Sequence, residues 1–479
     1  MKKVLAIDFG ASSGRAILGS FDGEKIELTE VHRFSNDPNY ENGELRWNAE
    51  ALFGEIKTGI KKAAAISDFD TIAIDTWGVD YGAIDKEGNL IANPFNYRDS
   101  RTDNITEKAF KIIPEKELYE LTGIQVMNFN TLFQLLAEKD LTKIDKFLLM
   151  PDLFSYMLTG EQYAESTVAS TTHMFDQKKC DWKWEVIDRF GYPRSIFPKI
   201  VKAGTVVGKM KQELADELGI EPKEVVAIAG HDTASAVAAV PSREKDFIYI
   251  SCGTWSLFGT VTDEPVLTEK SNKYNITNEY GFGGKTRFLK NIIGLWLIQE
   301  AKRQFVKDGK NYSYADMEEL ALKAEPFKYF IDPDDQVFVA PGGMLDRIAA
   351  YCEKTGQGKP ETDGELVRCI YESIALKYRY AFSTIKECTE KEYKSIHMVG
   401  GGTKDKLLCQ MTANSTGTKV VAGPIEATAL GNIAVQLYAK GEISNITDVI
   451  VKSTEIKEYT PTDEAAWDAA YEKFMEIVE

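Results

Sequence analysis

The chain has 479 residues, 43% hydrophobic and 27% charged, which is enough for two buried cores and unlike a disordered or fibrous chain. Its formal net charge is −17, from 74 acidic against 57 basic residues, which argues against long-range attraction to nucleic acid or anionic lipid. An anionic ligand must then be held locally, by backbone N–H groups and a metal ion.

The opening MKKVLAIDFG sets two lysines before an apolar run too short for a signal segment. No apolar stretch reaches spanning length, so a cytoplasmic chain without a membrane partner is expected. VLAIDFG, a turn of small residues and RAILGSF predict a β-hairpin with Asp8, Gly10, Ser12, Ser13, Gly14 and Arg15 at its tip. Such a turn can aim several N–H groups at phosphate oxygens while Asp8 faces a magnesium ion. An ordinary hairpin explains the same residues, and no Walker sequence GxxxxGK[ST] is present.

Helical periodicity follows over 51–65, then TIAIDTWGVDYGAID reads as a strand, so helices and strands alternate as in an α/β protein. Trp77 offers an apolar face, Gly78 an accessible backbone, and Asp75 and Asp80 accept hydroxyl hydrogen bonds, which are parts of a sugar pocket. A hairpin with a core tryptophan accounts for them almost as well. The polar turn YRDSRT (97–102) fits a pocket wall or a salt-bridged surface loop. VVAIAGHDTASAVAAV passes from a buried strand through His231 and Asp232 into an alanine-rich helix. Asp232 is the best candidate for a catalytic base, with a helix N-cap as its structural alternative.

Pro241, Ser242 and a charge cluster near 239–246 mark the junction, dividing the chain into 1–243 and 244–479. FIYISCG-TWS-LFGTV (247–261) then repeats the plan of the first hairpin, so the halves read as diverged copies. Helices are expected over 364–388 and 405–415 with the strand SIHMVGG between them. Gly400, Gly401 and Gly402 stand where missing side chains permit close approach of a ligand, or simply a tight connection. The stretch from 446 to the end reads as a helix. Six cysteines without a CxxC pair and four histidines without an HExxH spacing indicate neither zinc nor a disulfide scaffold. Cys352 and Cys369 are more simply free thiols than a pair.

Eight strings, IDFGASSGR, IDTWGVDYG, YRDSRT, MPDLFSY, GHDTASAV, SCGTWSL, LKNIIGLW and VGGGTKDKLL, run in order through nearly the whole chain. Together they resemble the FGGY carbohydrate kinases and, within that family, its rhamnulokinase branch. The resemblance implies a two-lobed actin-like, ribonuclease-H-like α/β fold with a central ligand cleft that closes by a hinge. It implies an N-terminal lobe (1–243) with the sugar pocket and first phosphate hairpin. The C-terminal lobe (244–479) would carry the second hairpin, the adenosine site and a C-terminal helix. Carried over by motif, Ala11, Ser12, Ser13, Gly14 and Arg15 meet the ATP phosphates. Thr254, Asn291, Gln299, Gly400, Gly401 and Gly402 complete the nucleotide site, and Asp8 helps to hold Mg²⁺. Gly78, His231, Asp232 and Thr233 are the implied sugar contacts, with Asp232 as base; residue chemistry adds Trp77 and Asp80.

The implied activity is ATP-dependent phosphorylation of L-rhamnulose to L-rhamnulose 1-phosphate in L-rhamnose catabolism, by a monomer or small homo-oligomer. A kinase for another ketose such as L-fuculose or a pentulose is the nearest rival. An actin-like ATPase switch or an inactive sugar sensor stands further off.

Overall fold

The computed structural model describes residues 1–10 and 13–478. The chain divides into two compact units. One is Met1–Arg243 with Val261–Phe288 and Glu426–Thr454; the other is Glu244–Thr260 with Leu289–Ile425 and Glu455–Glu479. Segments 261–288 and 426–454 thus return to the first unit, where their polar groups find partners. Tyr119 Oη donates to the Ile276 carbonyl at 2.5 Å, and Gln436 Nε2 donates to that of Leu5 at 3.1 Å.

The first unit is built on a six-stranded sheet ordered Thr205–Lys209, Glu224–Ala227, Thr71–Asp75, Lys2–Phe9, Ser13–Phe21 and Ile26–Ser35. Lys2–Phe9 runs antiparallel to Ser13–Phe21, as the hairpin pattern predicts, and parallel to Thr71–Asp75, which is itself parallel to Glu224–Ala227. Helix Ala49–Ile66 covers one face of the sheet, where a Cβ at Gly59 would press on Ala16; on Gly19 a Cβ would meet Ile433 of helix Ala427–Ala439. Positions 16 and 19 differ by an odd number, so the two helices lie on opposite faces. Leu5, Ile7, Ala16, Leu18, Ile56, Ile60, Ile72 and Ile74 form the core under the first helix. A second apolar cluster around Phe133, Phe147, Trp182 and Phe197 fills the insertion after the third strand.

The second unit repeats the plan. Ile248–Cys252 is antiparallel to Trp255–Thr262 and parallel to Ser395–Val399, which is parallel to Lys419–Ala422. Helices Asp363–Thr389 and Lys406–Thr416 match the expected ones to within a residue.

Two expectations are corrected. TIAIDTWGVDYGAID is neither one strand nor a hairpin. It forms Thr71–Asp75 and Tyr81–Ile84, the latter paired with Lys146–Leu149 in a separate sheet, because the backbone turns at Val79 with φ of 66°. The stretch from 446 onward is helix Ile446–Ser453, strand Lys457–Tyr459 and helix Glu464–Val478. Pro461 cannot donate to a continuing helix, and Lys457–Tyr459 pairs with Lys419–Ala422. All six cysteines are free thiols. Among the described residues no helix is long and apolar enough to cross a membrane.

Candidate active site

In the first unit, three adjacent parallel strands deliver carboxylates from their C-terminal ends, the usual ligand edge of an open α/β sheet. Asp8 is in register with Asp75. The chain beyond Glu224–Ala227 is tied in by Thr76, whose N–H donates to the Gly230 carbonyl at 2.9 Å and whose carbonyl accepts from Asp232 N–H at 2.8 Å. Asp75 is fully buried. Burial first, then the charge of Asp8, pushes it well above the usual carboxylate range, opposed by Asn432 Nδ2, which donates to Asp75 Oδ2 at 2.6 Å.

Asp232 opens helix Asp232–Ala238, and its side chain keeps 27% exposure. Oδ1 accepts from the Thr233 N–H at 2.6 Å and hydroxyl at 3.2 Å, and His231 Nε2 stands 3.4 Å from the same oxygen. Oδ2 makes none of these contacts. Burial raises the Asp232 pKa; His231 opposes and Asp8 adds to the rise. The structural alternative for Asp232 is not realised: His231 takes the N-cap position, without a side-chain cap bond, and Asp232 is the first helical residue, its carboxylate fixed by the N–H of its neighbour.

Arg15 lies between two carboxylates. One Nη donates to Asp8 Oδ2 at 2.5 Å and the other pairs with Glu426. Gly14 is buried with no room for a Cβ against the Phe34 ring, and Ser13 begins the second strand. Ala11 and Ser12 lie outside the described residues.

Gly78 faces Thr171, whose side chain a Cβ would meet at 3.0 Å. Asp80, also fully buried, is committed to four protein donors. Oδ2 accepts from Trp47 Nε1 at 2.7 Å, Trp77 Nε1 at 3.0 Å and Tyr97 N at 3.1 Å, and Oδ1 from Gln134 Nε2 at 2.8 Å. Burial nonetheless pushes its pKa up to about 6. Trp77 leans on Trp47 with ring centroids 4.2 Å apart and is 6% exposed.

In the second unit the hairpin tip Gly253–Thr254 holds the start of helix Trp296–Lys307: Leu295 N–H donates to the Gly253 carbonyl and Trp296 N–H to that of Thr254, at 3.2 and 3.1 Å. Gln299 is on this helix and Asn291 on strand Thr286–Ile293, both half-buried. A Cβ on Gly400 or Gly402 would press on Cys252 of the hairpin, and Gly400 has φ of 89°. Gly401 alone of the three faces open space. The glycine turn therefore owes two of its residues to packing on the hairpin strand.

Residues 3–239 match the family model "FGGY family of carbohydrate kinases, N-terminal domain", and residues 248–440 match the C-terminal domain of the same family. The chain belongs to the FGGY family of carbohydrate kinases. It is 42% identical over 482 residues to a rhamnulokinase of Bacteroides thetaiotaomicron, covering 99% of each chain. To a rhamnulokinase of Halalkalibacterium halodurans it is 41% identical, covering 97% of this chain and all of the relative. Among solved structures, a ligand-bound xylulose kinase from Lactobacillus acidophilus superposes with a TM-score of 0.82 at 17% identity, over 100% of this chain and 98% of that one. The FGGY assignment makes this a two-domain α/β sugar kinase, a phosphotransferase that uses ATP.

Several residues that contact the candidate site of this FGGY kinase carry no signal in the motifs. Asn432 and Gln436 reach the sheet from helix Ala427–Ala439: Gln436 donates to Asn432 Oδ1 at 2.7 Å and accepts from the Thr71 hydroxyl at 2.6 Å. Two buried amides four residues apart in an otherwise apolar helix were the available signal, since such groups need partners. Glu165 is likewise buried; its Oε2 accepts from Gly230 N–H at 3.0 Å, fixing the approach to His231. Glu279, Arg287 and Glu426 come from segments distant in sequence and carry no motif.

Proposed function

We propose that this FGGY kinase transfers the γ-phosphoryl group of ATP to the primary hydroxyl of L-rhamnulose, giving L-rhamnulose 1-phosphate in L-rhamnose catabolism in the cytoplasm. Identity of about 40% with rhamnulokinases over nearly the full chain supports the substrate. The observation that carries the chemistry is the Asp232 carboxylate, anchored through one oxygen and partly exposed.

In this reading Asp232 Oδ2 accepts the proton of the attacking hydroxyl, the role of a positioned general base. His231, Thr233 and the backbone at Gly78 orient the sugar, and Trp77 with Asp80 forms the rigid wall behind it. Asp80, with its donors already satisfied, acts by holding the Trp47 and Trp77 indoles in place. Ala11, Ser12, Ser13 and Gly14, with Arg15, are assigned to the ATP phosphates. Thr254, Asn291, Gln299 and the turn Gly400, Gly401, Gly402 hold the rest of the nucleotide, with Gly401 the position of closest approach. The sugar is assigned to the 1–243 half of the chain and the adenosine to 244–479.

Magnesium fits this arrangement as an ion carried by the phosphates. Such an ion needs only one or two protein carboxylates, and among the described residues no cluster of three or more possible ligands forms. Asp8 would face it. When bound, Mg²⁺ offsets charge on the transferring phosphoryl group.

A coupled ADP-release assay across L-rhamnulose, L-fuculose and L-xylulose tests the proposal. The highest kcat/KM is expected with L-rhamnulose, and little ADP without sugar, since a water-filled site wastes ATP. A preference for another ketose would reassign the substrate. Sugar-independent ATP hydrolysis would favour an ATPase switch, and sugar binding without turnover a sensor.

A further inference from the structure

The geometry points to Arg287 and Glu279 as positioning residues that fix the tautomer of His231 and, through it, the orientation of Asp232. The inference rests on Asp232 as the base and adds the machinery that aims it.

Arg287 Nη2 is 3.0 Å from His231 Nδ1 and 2.9 Å from Glu279 Oε2. That carboxylate oxygen is itself 3.3 Å from Nδ1, and on the other side of the ring Nε2 is 3.4 Å from Asp232 Oδ1. The Arg287 side chain is 1% exposed, that of Glu279 7% and that of His231 10%, so water does not compete for these contacts.

A guanidinium only donates hydrogen bonds and keeps its protons in a protein. Its approach to Nδ1 therefore makes that nitrogen the acceptor, and the neutral ring must carry its proton on Nε2. Nε2–H then points at Asp232 Oδ1, which already takes both Thr233 donors. Three donors on one oxygen leave the second oxygen for the proton of the substrate. The opposite tautomer would offer Nδ1–H to Glu279 Oε2 at the longer 3.3 Å, but it would set that proton against the Arg287 N–H at 3.0 Å and an imidazole lone pair against the Asp232 carboxylate.

Glu279 keeps the arginine in place. Despite burial, which acts the other way, the Arg287 charge and His231 hold the Glu279 carboxyl below its ordinary pKa, so it stays an anion beside the guanidinium. The arm is also fixed from its stem: Arg287 Nε donates to the Tyr280 carbonyl at 3.3 Å, and Tyr280 N–H donates to Ser170 Oγ at 2.8 Å. A buried ion pair is a poor source of net stability, but it supplies a directional donor that an apolar pair does not.

The test is a long-range 1H–15N correlation spectrum of the full chain labelled with 15N-histidine, at pH 7.5 without ligands. Only four histidines contribute, and His231→Gln identifies the resonance. The Nε2–H tautomer is expected for His231; the Nδ1–H tautomer or an imidazolium overturns the proposal. The double variant Arg287→Met, Glu279→Met removes both charges without leaving either unpaired. It is expected to show mixed tautomers and a kcat lowered about ten- to a hundredfold, as for a mispositioned catalytic group, with affinity for ADP unchanged. Arg287→Lys, still a pure donor, is expected to recover part of that loss. A folded double variant with wild-type kcat overturns the proposal, and if the variant does not fold the wild-type spectrum decides alone. Should Asp232→Asn keep full turnover, the base assignment falls while the tautomer result stands on its own spectrum, so the two failures are separable.

Discussion

Gly431 packs so closely on Ser235 that a Cβ at position 431 would overlap the Ser235 carbonyl oxygen. The contact joins helix Ala427–Ala439 to helix Asp232–Ala238, whose first residue is the proposed base. Gly431→Ala must push the two helices apart, at a cost of about 1–3 kcal/mol typical of overpacking. Denaturant titration is expected to show that loss, and kcat is expected to fall because Asp232 moves with its helix. An unchanged kcat in the destabilised variant would uncouple the helix from the chemistry.

Asp232→Asn removes the proton acceptor with little change in shape. The expected result is a kcat lower by about 10²- to 10⁴-fold with ADP affinity by calorimetry nearly intact. Turnover within a factor of a few of wild type would take Asp232 out of the role.

The raised Asp232 pKa sets the direction of a pH effect. The base acts ionised, so activity is lost as pH falls through a value above the ordinary 3.8. Asp8 is one of the groups that raise it, so in Asp8→Asn the Asp232 pKa of the metal-free, ligand-free chain, followed by carboxyl 13C NMR, moves to lower pH. A pKa that stays put or moves up contradicts that electrostatic link.

Asp80 makes a thermodynamic prediction. Its pKa rises from 3.8 to about 6 in the fold. Between those values the folded chain keeps a proton that the unfolded chain has released. Its contribution is therefore fully present below 3.8 and lost as pH rises through about 6, with a slope of up to about 1.4 kcal/mol per pH unit. The stability of wild type minus that of Asp80→Asn is expected to fall across this window and level off above it. A flat difference would mean that the buried carboxylate ionises at its ordinary pH.

The hairpins, the alternating helices and the strand leading to His231 and Asp232 were legible because each is local: period and small-residue turns are written in consecutive residues. The halves repeat in space as they do in sequence. What escaped was the company these residues keep. Nothing near residue 80 says that Trp47, Tyr97 and Gln134 converge on one carboxylate. Nothing near residue 231 names Glu279 or Arg287 as its neighbours. The turn at Val79 was hidden for another reason: a β-branched residue at positive φ runs against its own propensity, held here by Thr171 and Thr131 hydroxyls on its N–H and carbonyl at 3.2 and 2.6 Å.

The helix Ala427–Ala439 seals a sheet whose first strand begins at Lys2. During synthesis the opening hairpin leaves the ribosome more than 400 residues before the amides of Asn432 and Gln436 that complete its floor. A nascent chain cut short of that helix would expose the apolar face meeting Ile433 and leave the Asp75 carboxyl without its amide donor. The sheet begun by the first residues made is therefore completed only late in synthesis, when residues 426–454 arrive.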